Sequence, residues 1–89
     1  MSSANTIERI KSRYGTNLEH LAIEDRYAAI ALLAIAVNRQ RFIFQILAED
    51  QSLLGLYQDK SLNELIYDVH VAAIPGVIKF LSETIPGSL

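Results

Sequence analysis

Eighty-nine residues give room for one small domain with one core, and a hydrophobic share of 51% is high for that size. Eight Lys and Arg against ten Asp and Glu leave a net charge of −2, so the strong positive field that nucleic-acid binding draws on is absent. The lack of cysteine excludes disulfides, a thiolate nucleophile and a zinc site built on sulfur, and it fits a cytoplasmic location.

Taken in order, the chain opens on a polar stretch without the charged-then-apolar order of a secretory signal. Asn5 and Glu8 have the spacing of a capping box, and Ile7, Ile10 and Tyr14 follow at helical intervals. A short amphipathic helix is predicted over 6–14, stopped by Gly15. Residues 16–23 carry Leu18, Leu21 and Ile23, too apolar to be left in water together, so this connection is expected to lie over the core.

Residues 27–37, Tyr-Ala-Ala-Ile-Ala-Leu-Leu-Ala-Ile-Ala-Val, form the longest apolar run, and a segment apolar all round is expected to have no solvent face. Eleven residues fall well short of the roughly 20 needed to span a bilayer. Neither Gly nor Pro occurs from Glu24 until Gly55, and the alanine content favours helix over strand. One central helix is therefore predicted over about 24–48, with a bend possible near Asn38.

Beyond the polar interruption at 49–52, Leu53, Leu54, Leu56 and Tyr57 around Gly55 suggest a short helix or turn. Ser61 and Glu64 then make a capping box ahead of Leu62, Leu65, Ile66 and Val69. Pro75 predicts a break between Ala73 and Gly76, and a last amphipathic helix runs towards Pro86, with a frayed tail. The fold class expected is a single all-α domain over 1–89, a bundle of four to five helices packed around the central apolar one.

On one continuous helix, Tyr27, Ala31, Ala34, Asn38, Arg41 and Gln45 share a face. The two alanines let a neighbour approach closely, so Ala34 is expected to be close-packed and intolerant of arginine. The Arg41 guanidinium beyond them suits a carboxylate or backbone carbonyls. This stripe is the candidate interaction face; its ordinary alternative is a solvated edge, with Arg41 paired to an internal acid such as Glu24, Glu49, Asp50 or Asp68. Arg39 points away from it on a straight helix, and the two arginines converge only if the helix breaks near Asn38.

His20 and His70 lack the partners of a helical metal site, and the carboxylates are dispersed. No phosphate loop, nucleophile elbow or dinucleotide fingerprint is present. No catalytic residue, cofactor or metal is therefore expected. The leading expectation is a non-enzymatic interaction module of adaptor or inhibitor type, pairing with itself as a homodimer or with another protein. Two alternatives remain: a carrier for a hydrophobic ligand with Tyr27, Asn38, Arg41 and Tyr67 at its mouth, and membrane-surface association through Val77, Ile78 and Leu81 with Lys79 towards headgroups.

Overall fold

A computed structural model describes residues 3–85 and places five α-helices in them, with no strand among the described residues. Helix α1 is Ser3–Tyr14, α2 Ile23–Arg39, α3 Ile43–Glu49, α4 Ser61–Ile66 and α5 Ile74–Glu83; 3-10 turns cover Gln51–Leu56 and Val71–Ala73. The all-α class read from the sequence is the fold observed. The tail 86–89, expected to fray, lies outside the described residues.

α2 is the centre of the molecule. Its Ala28, Ala29, Leu32, Leu33 and Ala36 are buried against Ile10 and Tyr14 of α1, Leu62 and Ile66 of α4, and Ile74, Val77 and Leu81 of α5. A helix over all of 24–48 would be about 37 Å long at the usual rise, but the longest dimension of the Cα trace is 31 Å. The chain resolves the conflict by turning, and α3 leaves α2 at 91°.

The turn needs no glycine. Gln40 takes the left-handed conformation at φ 55°, and the Arg41 N–H closes back onto the Ala36 carbonyl at 3.0 Å. That six-residue closure is the Schellman stop that glycine usually provides. One residue later the Gln45 side chain accepts the Phe42 N–H at 2.9 Å, so α3 starts from half a capping box with phenylalanine in the serine position. The bend directs Ile43, Ile46 and Leu47 into the same core that α2 lines.

Other boundaries also moved. α1 begins at Ser3, which puts Asn5 inside the helix instead of at its cap. Gly15 does end it, at φ 99°, where a side chain would be strained and a Cβ would meet the Glu19 carboxylate. Leu18 and Leu21 are buried over the core as expected, but Ile23 is exposed. Ser61 is the first residue of α4, and the capping is done by Asp59, whose side chain accepts the Ser61 N–H at 3.0 Å. α4 ends well before Pro75, which instead sits in the first turn of α5, where its missing N–H costs no hydrogen bond.

Candidate functional site

The run 27–37 is not covered on every side. Ala28, Ala29, Leu32, Leu33 and Ala36 face inward, but Tyr27 is 55% exposed, Ala31 and Ala34 are exposed, and Ile30, Ile35 and Val37 are only half-buried. The expectation of no solvent face, and of a close-packed Ala34, is therefore corrected. With 17 residues in α2, one face suffices to anchor it, and the described residues hold no further helix to lay across the other. Beside Tyr27 the surface is recessed, in a slot of about 280 Å³ lined by Glu24, Ala28, Ala31 and Leu56.

The bend divides the predicted stripe. Tyr27, Ala31, Ala34 and Asn38 stay together along the outer side of α2, all exposed. Arg41 and Gln45 lie beyond the turn on a different axis, with Gln45 engaged in starting α3. Arg39 and Arg41 do converge, on an acid: the Arg41 guanidinium pairs with one Glu49 oxygen and Arg39 lies 4.0 Å from the other. The result is a surface ion triad, with each side chain about half exposed, and not a cationic patch.

Two adjacent charged side chains in the first turn of α2, Asp25 and Arg26, are buried. Asp25 is 1% exposed and accepts the backbone N–H groups of Gln58 at 2.6 Å and Asp59 at 3.0 Å, fastening the loop before α4 onto α2. Arg26 is 6% exposed, and its guanidinium donates to the carbonyls of Leu18, Leu21 and Thr84. One side chain thus ties the connection 15–22 and the end of α5 to the same point.

Tyrosines border this cluster. The Tyr14 hydroxyl lies 2.9 Å from the Ser61 hydroxyl and donates to Asp59, and burial raises its phenol above the ordinary value. Asp59 is held below the usual carboxylate value by its hydrogen bonds from the Ser61 hydroxyl and N–H. The Tyr57 phenol is pushed far up, by burial first and by the nearby Asp25 carboxylate second, and its hydroxyl finds no hydrogen-bond partner among the described residues.

A third surface was not anticipated at all. Phe42 and Phe44 stack with ring centres 5.2 Å apart and planes 14° from parallel. His70 stands edge-on to Phe42 at 6.1 Å, and Tyr67 edge-on to Phe44 at 6.1 Å, so four rings form a row. Phe44 and Tyr67 are 44% and 42% exposed, and His70 is exposed. A backbone bond from the Phe44 N–H to the Tyr67 carbonyl, 3.1 Å long, fixes the start of α3 against the end of α4. Tyr67 also borders a groove of about 610 Å³, walled by Glu64 and Asp68 on the α4 side and by Arg9 and Arg13 of α1 on the other.

The carrier expectation had grouped Tyr27, Asn38, Arg41 and Tyr67; here Tyr27 sits by Leu56, Arg41 on Glu49 and Tyr67 on Phe44. The membrane expectation needed Val77 and Leu81 on the surface, but both are fully buried and only Ile78 is partly open. Among the described residues no single helix is long and apolar enough to cross a membrane. Among the described residues no three His, Asp or Glu side chains gather in a way that holds a metal ion. Comparison with known proteins finds no matching family model, no similar curated protein and no similar solved structure.

Proposed function

We propose that this chain is a small, non-enzymatic protein-interaction module that works as a homodimer, with two copies joined across the outer face of α2. The observation that supports it is the chemistry of that face. A helix at the surface of a monomer normally meets water with charged or polar side chains. Here Ile23, Tyr27, Ala31 and Ala34 are exposed, Ile30 and Val37 half-exposed, and no charge occurs from Tyr27 to Val37. A contiguous exposed apolar strip marks a contact surface.

The face is suited to a second copy of itself. Ala31 and Ala34 allow two helices to approach at the short end of the usual range of about 8–10 Å. A two-fold axis beside Ala31 sets Glu24 of one copy against Asn38 of the other, so the exposed polar side chains at the two ends of the face meet in the antiparallel arrangement. The slot beside Tyr27 and Leu56 gives the second copy a recess for a side chain.

Sedimentation equilibrium at micromolar concentration is expected to give the dimer mass; the monomer mass throughout that range removes the proposal. Ala34→Arg places like charges at the centre of the contact, with an expected loss of at least about 100-fold in dimer affinity, equivalent to about 3 kcal/mol. Because Ala34 is exposed, the variant retains its helical content as a monomer.

A further inference from the structure

The row of rings at the α3–α4 junction has a shape and polarity of its own, unrelated to the α2 face. We infer that it is a docking ledge for a proline-rich segment in the polyproline II conformation, with a basic residue flanking the prolines at the Tyr67 end. Three observations support this occupant.

The first is the alternation of the rings. A parallel pair, Phe42 and Phe44, is closed at each end by a ring nearly perpendicular to it, at 77° and 72°. The arrangement makes two notches, Phe42 with His70 and Phe44 with Tyr67. Their midpoints are separated by no more than about 11 Å, a limit within which the roughly 9 Å advance of one polyproline II turn fits. Residues one turn apart on such a segment, which share a side of it, can each seat a ring in one notch. Aromatic rows of this kind recognise the preformed, low-entropy polyproline helix through flat apolar contact.

The second is the placement of donors. A polyproline II backbone makes no internal hydrogen bonds, so its carbonyls need donors from outside. At one end of the row His70 Nδ1 accepts the Ala72 N–H at 3.2 Å, which puts the proton of the neutral imidazole on Nε2, a donor. At the other end the exposed Tyr67 supplies a hydroxyl. The central Phe pair supplies no polar group, as a run of prolines, lacking N–H groups, requires.

The third is charge. Beyond Tyr67 the row opens into the groove whose near wall is Glu64 and Asp68, both exposed, while the arginines of α1 stand on the far wall. Glu64 stands one helical turn before Tyr67, on the same side of α4 and its C-cap, and a cationic side chain seated beside Tyr67 is its complement. The ledge is also built in advance: the Phe44–Tyr67 backbone bond and the Gln45 cap fix its two halves, so little conformational freedom is lost on docking.

The test is an NMR titration of the whole chain with a short synthetic peptide of repeated prolines ending in one arginine. The same peptide with alanine for proline is the control. Ring resonances of Phe42, Phe44, Tyr67 and His70 are expected to shift together and saturate, with the control silent. Phe44→Ala and Tyr67→Ala should each weaken binding about tenfold or more, as loss of a central aromatic anchor does. Glu64→Lys should weaken it about threefold only when the arginine is present.

Phe44 and Tyr67 are both more than 40% exposed, so their truncation leaves the fold in place, and agreement between the two variants separates lost docking from lost folding. Ala34→Arg should bind the peptide as the unaltered chain does, since self-association lies on α2. Equal binding of the control, unchanged affinity in both alanine variants, or no ring shifts at millimolar peptide would overturn the inference. Insertion of the rings into neutral phosphatidylcholine vesicles without any peptide binding would overturn it too, assigning the ledge to lipid.

Discussion

The two ends of α2 use charge in opposite ways. At its start, Asp25 and Arg26 are adjacent in sequence and both buried, and their hydrogen bonds go to backbone groups of distant segments: two N–H groups before α4 for the acid, three carbonyls for the base. At its end, Arg39 and Arg41 share Glu49 in water, with every member about half exposed. The exposed triad looks more like an interaction, since opposite charges meet. The buried pair does more for the fold, because unsatisfied backbone groups in the interior are costly, while a solvated ion pair exchanges one set of charge contacts for another.

The comparison breaks if Arg26 is dispensable. Arg26→Met keeps much of the apolar stem but leaves the Leu18, Leu21 and Thr84 carbonyls without their donor. The expected cost is about 3 kcal/mol, or a fall in melting temperature of about 15 °C for a domain of this size. Calorimetry showing a melt within a few degrees of the unaltered chain would mean that those carbonyls find other donors.

Tyr57 sharpens it, being buried and polar with no bond made. At neutral pH Tyr57→Phe should change stability by no more than about 1 kcal/mol, in either direction, since no partner is lost. The alkaline limb is where it matters. The folded-state phenol lies above its ordinary value of 10.0, so its contribution is complete below that value and is lost as pH rises beyond it. The unaltered chain should lose up to about 1.4 kcal/mol per pH unit above pH ~10 from this group, and Tyr57→Phe should remove that slope. Denaturant titrations at successive pH values measure both, and an identical alkaline slope in the two chains would count against it.

The smallest effect is expected at the other end of the helix. Glu49→Gln removes the acid that both arginines share, and the cost should stay below about 1 kcal/mol and shrink further in high salt. A loss comparable with that of Arg26→Met would mean that the bend after Arg39 is held by this triad and not by the Gln40 closure.

Much of the fold was legible in the residues themselves. Periodic apolar positions such as Ile10, Tyr14, Leu62, Ile66, Val77 and Leu81 are the ones found buried, because a helix has one period and a small domain one core. Gly15 and Pro75 worked as punctuation for the same local reasons. The ledge was not legible: Phe42, Phe44, Tyr67 and His70 span 29 positions of sequence, share no period, and meet only because α3 turns back against α4. The one local signal near it was Gln45, three residues after Phe42, whose capping role a straight-helix reading conceals.

Composition and periodicity by themselves determined that the chain is all-helical and that the run 27–37 lies at its centre, since both follow from short-range sterics and the removal of apolar groups from water. What only the tertiary structure decided is which side of that run stays open, where Asp25 and Arg26 find their partners, and that Arg41 and Gln45 leave the stripe to which Tyr27, Ala31, Ala34 and Asn38 belong. These depend on the direction of each element relative to the others. That direction is set by the need to close the described helices around one core within a Cα trace only 31 Å long at its widest, a condition no single segment carries.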